Sequence, residues 1–355
     1  MKTTVTILGI ESSCDDTAAA VFKNETMLSN IVAGQEVHKA YGGVVPELAS
    51  RAHEKNIIPV VDAALKKANV TLADLDAIAF TRGPGLIGSL LIGTSFAKSL
   101  GLALDIPLIE VNHMQGHVLA HFIRPSLTLP EGEGTSRVPK FPFLCLTVSG
   151  GHTQIVKVEN HSTMKVIGET VDDAAGEAFD KAAKILGLPY PGGPLVDKYA
   201  QLGNPNAFEF PHPVMPELNY SFSGIKTAIL YFVQNKTKED TDFVTKNLND
   251  ICASIQKTII DVLLKKLIQA AKENNIKEIA IAGGVSANSG LRKALQQTAE
   301  KLNWNIYIPA FEYCTDNAAM IAIAGYYKYL KGEFVGQDAV PVARYEIGKQ
   351  QTKYK

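Results

Sequence analysis

Short apolar segments alternate with longer segments of helical period in the first third of the chain. The pattern predicts strands at 5–10, 18–22, 76–81 and 107–111 and helices at 46–68 and 88–103. The first two strands enclose a polar turn, ESSCDDT, and the last strand runs directly into a segment with three histidines. Such alternation is typical of an α/β fold.

The opening order of elements returns after residue 141. Strands predicted at 141–148 and 154–158 enclose the turn SGGHT, just as the first two strands enclose ESSCDDT. Further elements are predicted as helices at 174–186 and 245–274, a strand that runs into a helix at 278–291, a strand at 304–310 and a helix from about 316. The repeated strand–turn–strand unit predicts two related lobes with duplicated sheets.

The proline- and glycine-containing stretch between the two halves predicts a linker. We expect an N-terminal lobe at 1–123, a linker or insertion at 124–141 and a C-terminal lobe at 142–315. The helix at about 316–331 is expected to join the N-terminal lobe, and 332–355 to form a tail.

The chain has 355 residues, of which 46% are hydrophobic, and its formal net charge is −1. This composition is that of a globular protein of about two domains. The charge argues against a globally basic nucleic-acid binder, so an RNA partner would need a local patch or a second protein.

The four cysteines are scattered and form no CxxC pair, which argues against a disulfide framework or a cysteine zinc site. The first residues lack the features of a signal peptide, and no uninterrupted apolar run approaches the ~18 residues that span a bilayer. We therefore expect a cytoplasmic protein without membrane contact.

The glycine motif GPGLIG at 83–88 matches GxGxxG but does not predict a dinucleotide site. The acidic residue with suitable spacing, Asp105, precedes its strand instead of following it. A tight glycine turn with close packing is the favoured interpretation. A P-loop is excluded, because the segment at 88–95 has threonine where the phosphate-binding lysine would stand.

Three polar junctions are better candidates for anion binding. The adjacent glycines of the turn 147–153 let backbone N–H groups approach a phosphate. The turn 11–17 offers hydroxyls and carboxylates, and the carboxylates could hold a metal-bound or water-bridged phosphate. Simple hairpin turns use the same residue types. In the segment 282–291, a glycine pair follows the end of a strand. Asn288 of this segment either contacts a nucleoside or caps the next helix.

The histidine segment VNHMQGHVLAHF has a spacing suited to metal binding. His113 and His117 lie on one face of a helix, where both can bind one ion. A zinc protease of the HExxH type needs glutamate at the next position, which is Met114 here. The spacing thus favours a metal site without the protease base, with one further ligand from elsewhere; a surface or capping role for the histidines is the alternative.

Nine segments in order resemble one known family. They are GIESSCDDT, VPELASRAH, TRGPGLIGSLLIG, VNHMQGHVLAH, LTVSGGHTQ, DDAAGEAFDKAAKILGLPYPGGP, SFSGIKT, IAGGVSANSGLR and CTDNAAMIA, and they span about residues 4 to 330. The family is the tRNA N6-adenosine threonylcarbamoyltransferases, and its bacterial branch is the more similar. The resemblance implies the two-lobed actin/hexokinase/Hsp70-like (ASKHA) fold. It also implies transfer of threonylcarbamoyl from threonylcarbamoyl-AMP to N6 of adenosine 37 in tRNAs that read ANN codons, with release of AMP.

The resemblance implies a metal site and a cofactor. His113, His117 and Asp316 are similar to the family's ligands for one Fe²⁺, with Zn²⁺ as the alternative. The ion would polarise the carbonyl of the transferred group. Asp316 also resembles a helix N-cap, a role that is compatible with metal binding.

The resemblance also implies a site for the donor, where ATP or ADP would bind as well. The residues that match the family's phosphate loop and nucleotide contacts are Thr147, Val148, Ser149, Gly150, Gly151, Asp180, Gly193, Asp197 and Asn288. Asp15 and Asp16 match acidic residues needed for activity. Asp15 is the candidate base for the attacking amine, and support of the turn is the alternative role.

Two departures and three partners complete the comparison with the family. Gln115 stands where relatives often have an acidic residue, and the insertion at 125–140 is longer than usual. The expected partners are tRNA, an inactive paralogous subunit and a P-loop ATPase subunit. The alternatives are a metalloprotease for glycosylated proteins, an ATP-using kinase or ATPase of the same superfamily, and a non-enzymatic scaffold.

Overall fold

The computed structural model describes residues 4–125 and 137–348, which form two compact units. Within these residues, unit 1 comprises 4–125, 137–138, 159–164 and 309–348. Unit 2 comprises 139–158 and 165–308. Most of the predicted linker at 124–141 and of the insertion at 125–140 lies outside the described residues.

Unit 1 is built on a mixed six-stranded sheet. Its strands are β1 (Thr6–Glu11), β2 (Thr17–Lys23), β3 (Thr26–Ala33), β4 (Ala77–Gly83), β5 (Leu108–Asn112) and β6 (Arg124–Pro125). Their order in the sheet is β5–β4–β1–β2–β3–β6. The helices are α1 (Pro46–Ala68), α2 (Ile87–Leu104), α3 (His113–Leu119) and α9 (Ala318–Leu330). Strand β1 is buried along its whole length, which explains its nearly continuous apolar sequence.

Unit 2 has a five-stranded sheet. Its strands are β7 (Phe143–Val148), β8 (Thr153–Val158), β9 (Met164–Glu169), β10 (Glu278–Ala282) and β11 (Asn305–Tyr307), in the order β11–β10–β7–β8–β9. Its helices are α4 (Ala175–Ile185), α5 (Gly192–Ala200), α6 (Ser223–Glu239), α7 (Phe243–Asn274) and α8 (Ser289–Leu302). The largest part of its core lies where α7 packs on the helices and strands around it.

The two sheets share one topology. In unit 1, β1 pairs with β2 in antiparallel and with β4 in parallel orientation. In unit 2, β7 pairs in the same way with β8 and β10. The predicted duplication of the strand–turn–strand unit, and the α/β class, are therefore confirmed.

Helix α9 lies unusually close to the first strand of unit 1. A Cβ atom built on Gly9 of β1 would lie 2.7 Å from the carbonyl oxygen of Ala318 and 2.8 Å from Cβ of Ala322. On the helix, Gly325 has the matching role, because its Cβ would lie 2.4 Å from Cβ of Ala79 on β4. Glycines at these positions permit the close approach of helix and sheet, which places the residues just before α9 near the end of β1.

The structure differs from the expected boundaries at several places. Arg124 and Pro125, expected in the linker, form β6 and pair with β3. Part of the expected tail, 332–348, packs on unit 1, since Val335 forms a bridge with Leu108 and Ala339 is buried. The 309–315 segment clusters with unit 1 instead of unit 2. Elements without a predicted counterpart are β3, β9, α5 and α6.

One helix in the described part of the chain is long and apolar enough to cross a membrane, namely α2. Length and composition are weak evidence, because core helices of globular proteins meet the same criteria. Here α2 packs against α1 and β4, and its small residues, including Gly93, Ala97 and Gly101, are buried.

Candidate metal centre and nucleotide-binding turns

Helix α3, which carries the two histidines, begins directly after strand β5. The side chain of Asn112 caps it, because its Oδ1 accepts a hydrogen bond from the backbone N–H of Gln115 at 3.1 Å. The Nδ2 group of Asn112 donates to the carbonyl oxygen of Tyr345 at 2.7 Å. His113 and His117 follow one turn apart, and both are buried. Their ring centroids lie 4.8 Å apart, as the helical spacing predicts.

Asp316 completes a three-residue cluster within unit 1. Its Oδ1 atom lies 3.2 Å from Nε2 of His113 and 3.2 Å from Nε2 of His117. The cap of α9 is the next residue, Asn317, whose Oδ1 accepts from the N–H of Met320 at 3.0 Å. The N-cap role considered for Asp316 is therefore wrong, and its carboxylate faces the two imidazoles instead.

Opposite charges in this cluster shift the pKa values of its members. Burial lowers the pKa of His113, but the carboxylates of Asp316 and Glu11 outweigh burial and leave it well above its usual value. Burial raises the pKa of Asp316, and the histidines outweigh it, so that the net pKa is lowered. The cluster therefore strongly favours ionised Asp316.

These three residues fit a metal ion. One donor atom from each residue lies within 4.8 Å of the others, and the two nitrogens and one carboxylate oxygen are ligands that zinc and iron share. Gly116 contributes to this arrangement, because its missing side chain lets α3 approach Met320 and Ile321 of α9. The side chain of Gln115 donates to the carbonyl oxygen of His161 at 3.3 Å and is not part of the donor set.

The first polar turn is held by hydrogen bonds to its backbone. The carbonyl oxygen of Cys14 lies 3.0 Å from Nε2 of His53 and accepts from Oγ of Ser89 at 2.9 Å. Asp15 and Asp16 follow in this turn. Burial, with the charges of Asp316 and other nearby carboxylates, raises the pKa of Asp16 to about 7. A pKa near 7 is the property expected of a proton acceptor near neutral pH.

Glu11, the last residue of β1, was not singled out by the sequence. It is fully buried, and its Oε2 atom lies 3.0 Å from Nδ1 of His113. A carboxylate at the end of an otherwise apolar strand is the signal that could have identified it, because a buried charge needs a specific partner.

In unit 2, the second polar turn and the 283–288 junction lie side by side. They follow the parallel neighbours β7 and β10, in which Thr147 is paired with Ala282. A Cβ atom on Gly283 would lie 2.5 Å from the carbonyl oxygen of Val148, so glycine permits this contact. Around the Cβ positions of Gly150 and Gly151 there is no heavy atom within 4 Å among the described residues. The turn therefore offers open backbone beside the junction.

Ser149 links this turn to α4. Its N–H donates to the carbonyl oxygen of His152 at 2.8 Å, and its own carbonyl oxygen accepts from the N–H of Gly176 at 3.2 Å. On the same helix, Oδ1 of Asp180 accepts from the N–H groups of Gly192 and Gly193 at 2.8 and 3.0 Å. The structure thus brings the predicted pair Asp180 and Gly193 together.

Asp197 and Asn288 each make hydrogen bonds at the start of α8. The carboxylate of Asp197 accepts from the N–H and Oγ of Ser289 at 3.0 and 2.8 Å. Asn288 caps the helix, with its Oδ1 accepting from the N–H of Leu291 at 2.8 Å, and its Nδ2 donates to Oε1 of Gln256 at 2.6 Å. The capping role of Asn288 is confirmed.

Comparison with known proteins identifies the family. The family model for tRNA N6-adenosine threonylcarbamoyltransferase matches residues 26–323. A protein of that name from Christiangramia forsetii is 64% identical over 343 residues, which cover 97% of this chain and 98% of the relative. A protein of the same name from Porphyromonas gingivalis is 60% identical over 98% of this chain and 100% of the relative. The chain belongs to the tRNA N6-adenosine threonylcarbamoyltransferase family.

Solved structures of other proteins share the fold. Full-length HypF in its phosphate- and nucleotide-bound form has a TM-score of 0.58 at 14% identity, over 92% of this chain and 46% of HypF. Component A of (R)-2-hydroxyglutaryl-CoA dehydratase from Acidaminococcus fermentans has a TM-score of 0.50 at 16% identity, over 92% of this chain and 99% of component A. At such identities the likeness concerns the fold alone, and it confirms the expected ASKHA class.

Membership of this threonylcarbamoyltransferase family agrees with two local findings. Met114 is buried, and its thioether cannot act as the protease base. The GPGLIG turn is a packing feature, since a Cβ on Gly83 would lie 1.9 Å from the carbonyl oxygen of Val342, and one on Gly85 would lie 2.4 Å from that of Ser13. The family supports none of the three alternatives, namely protease, kinase and scaffold.

Proposed function

We propose that this chain transfers the threonylcarbamoyl group of threonylcarbamoyl-AMP to N6 of adenosine 37 in tRNAs that read ANN codons. The amine nitrogen forms a bond to the carbamoyl carbon, the bond from that carbon to the phosphate oxygen breaks, and AMP leaves. The amine loses one proton in the process. The observation that carries the proposal is the convergence of His113, His117 and Asp316 in a chain of this family.

His113, His117 and Asp316 would hold one Fe²⁺ or Zn²⁺ ion. When bound, the ion would supply a Lewis acid that polarises the carbamoyl C=O group, whose carbon the amine attacks. The chain's own contribution is to direct the Nε2 atoms of the two histidines and a carboxylate oxygen to one point. Preorganised ligands avoid the cost of rearrangement during the reaction.

The turn at 147–151 is the proposed cradle of the donor's phosphate. Glycines at Gly150 and Gly151 let the backbone approach an anion closely, because no side chain intervenes. Thr147 and Val148 end strand β7, and Ser149 is the first residue of the turn itself. Support comes from the open space around both glycines in the described structure and from the adjoining junction at 283–288.

Asp180, Gly193, Asp197 and Asn288 are the proposed contacts of the adenosine part. Carboxylates suit a ribose, whose vicinal hydroxyls both donate. Support comes from the hydrogen bonds of Asp180 to the N–H groups that begin α5 and of Asp197 to Ser289, which fix the orientation of both carboxylates. ATP or ADP would occupy the same site.

Proton transfer is assigned to the first polar turn. Asp15 is the candidate base predicted from the sequence, and the raised pKa of Asp16 adds that residue as a second candidate. A base works best when its pKa lies near the working pH, so a carboxylate with a raised pKa suits this role.

tRNA would be the acceptor substrate, as the family name of the relatives states. We infer that an inactive paralogous subunit and a P-loop ATPase subunit assemble with the chain in the cytoplasm. The formal net charge of −1 supports a need for partners, because the chain as a whole does not attract RNA.

The test is reconstitution with defined components. His117→Ala is compared with His121→Ala, which removes the next histidine of the run but none of the three donors. Both variants are checked for folding by circular dichroism and for modified nucleosides in tRNA by mass spectrometry. We expect no threonylcarbamoyladenosine with His117→Ala and ordinary levels with His121→Ala. Full modification by His117→Ala, or by metal-free protein, would overturn the role of the cluster.

A further inference from the structure

Glu11 is a buried carboxylate without a role in the proposed reaction. It has no solvent-exposed surface, and its ion pair among the described residues is with His113. Three donors hold it. Oε2 accepts from Oγ of Thr81 at 2.6 Å and faces Nδ1 of His113 at 3.0 Å, while Oε1 accepts from the N–H of Ser13 at 2.5 Å. Because burying a carboxylate is costly, this set of partners calls for an explanation.

The two nitrogens of His113 face two different carboxylates. Nδ1 lies 3.0 Å from Oε2 of Glu11 and 3.1 Å from Oγ of Ser13, and Nε2 lies 3.2 Å from Oδ1 of Asp316. Of the two partners of Nδ1, Glu11 is the one that carries a charge. A hydrogen bond from Nδ1–H to Glu11 leaves the lone pair of Nε2 directed at the donor cluster, which is the tautomer that a metal ligand requires.

His117 lacks such a partner. Its Nε2 atom lies 3.2 Å from Asp316, but its Nδ1 atom is buried and has no hydrogen-bond partner within the described residues. Of the two histidines, only His113 therefore has a carboxylate at its Nδ1 atom, and this carboxylate is Glu11. Its charge also matters, because Glu11 and Asp316 together carry two negative charges that match a divalent ion between neutral imidazoles.

We propose that Glu11 is a positioning residue of the metal centre, which orients His113 through Nδ1 and raises the affinity for a divalent cation through its charge. This inference rests on the metal site of the proposed function. Thr81 ties Glu11 to strand β4, so the orientation of His113 is fixed by the sheet and not only by its own helix. Outer-shell carboxylates of this kind contribute about 10–100-fold to metal affinity.

Glu11→Gln tests the role of the charge. The amide keeps the size of the side chain and an oxygen that can accept from Nδ1–H, but it carries no charge. We measure Zn²⁺ affinity by competition with a chromogenic chelator, and the visible absorption spectrum of the Co²⁺-loaded protein. We expect affinity to fall about 10–100-fold and the Co²⁺ bands to shift. Glu11→Asp, which keeps the charge on a shorter side chain, should recover part of the affinity.

Glu25→Gln is the matched control. Glu25 is another paired carboxylate of unit 1, which lies 2.8 Å from Arg124 and accepts from the hydroxyl of Tyr327 at 3.0 Å. Neither of these partners belongs to the donor cluster. It should leave Zn²⁺ affinity and the Co²⁺ spectrum unchanged. Thermal unfolding of the chelated proteins separates positioning from a merely structural role, which would lower stability without changing affinity.

Two outcomes distinguish this inference from the proposed function. If Glu11→Gln binds Zn²⁺ with wild-type affinity and gives the wild-type Co²⁺ spectrum, the positioning role of Glu11 is wrong while the metal site stands. If the wild-type protein and His117→Ala bind Zn²⁺ equally weakly, the metal site itself is wrong, and the inference fails with it.

Discussion

Nε2 of His117 lies 3.2 Å from Oδ1 of Asp316, although 199 residues separate the two in sequence. The histidine is at the end of the first turn of α3, and the aspartate comes two residues before α9. The contact joins two helices that pack together within unit 1, where Gly116 permits their close approach. The donor cluster is thus a product of helix packing.

Asp316→Asn should weaken metal binding strongly. The amide preserves shape but removes the charge that faces both histidines. We expect Zn²⁺ affinity to fall by at least about 100-fold, because even an outer-shell partner contributes about 10–100-fold. Metal content after dialysis, measured by plasma mass spectrometry, checks this. The control is Glu312→Gln, because Glu312 is an exposed residue of the preceding turn and should leave metal binding unchanged. Stoichiometric metal in Asp316→Asn would contradict the assignment of Asp316 as a metal ligand.

Gly9→Ala should disturb the packing of α9 and, through it, the donor cluster. The new Cβ would meet the carbonyl oxygen of Ala318 at 2.7 Å, and a backbone atom cannot move aside alone. Overpacking of this kind costs about 1–3 kcal/mol in the free energy of unfolding. We expect that loss in urea denaturation, together with weaker Zn²⁺ binding.

Gly224→Ala is the matched control for this substitution. It lies in helix α6, where nothing among the described residues is within 4 Å of the new Cβ. Stability should stay the same or rise by up to about 1 kcal/mol, because alanine favours the helix. Equal effects of the two substitutions would refute the packing argument.

Asp16→Asn should change the pH dependence of stability. The pKa of Asp16 is raised on folding from its usual 3.8 to about 7, because burial and nearby carboxylates disfavour its charged form. A group with a raised pKa stabilises the folded chain at low pH, and this contribution is lost as the pH rises. The wild-type protein should therefore lose stability relative to Asp16→Asn between pH 4 and about 7, with little further change above.

The measurement is chemical denaturation of chelator-treated protein at several pH values. Chelation is needed because a bound cation next to Asp316 would offset one of the charges that raise the pKa of Asp16. A difference between the two proteins that does not vary with pH would show that the side chain is not perturbed in this way.

Two substitutions of Asn288 separate helix capping from nucleotide binding. Asn288→Ala removes the cap of α8 and should cost about 1 kcal/mol of stability. Asn288→Asp keeps an oxygen for the N–H of Leu291, and aspartate caps as well as asparagine. It replaces the amide that donates to Gln256 by a charged oxygen, so ADP affinity should fall about 10-fold or more, which corresponds to ~1.4 kcal/mol. Calorimetric titration with ADP measures this affinity. If Asn288→Asp binds ADP with wild-type affinity, Asn288 caps the helix but does not bind the nucleotide.

Local pattern alone determined much of the fold. The predicted helix at 46–68 matches α1, and the two polar turns open duplicated sheets as expected. The four-residue spacing of His113 and His117 also sufficed to place them on one face, since the period of a helix is a property of its backbone. Short or irregularly patterned elements such as α5 and β9 had no comparable period and were missed.

Tertiary structure decided which distant residues meet. The sequence motif suggested Asp316 by family resemblance, but nothing local distinguished its role from that of Asn317, which is the actual cap of α9. Glu11 was overlooked because its partners lie 70 and 102 residues away. Periodicity records how each element buries one face, whereas contacts between elements depend on strand order and on helix packing. Those are properties of the whole folded unit, so no local pattern encodes them.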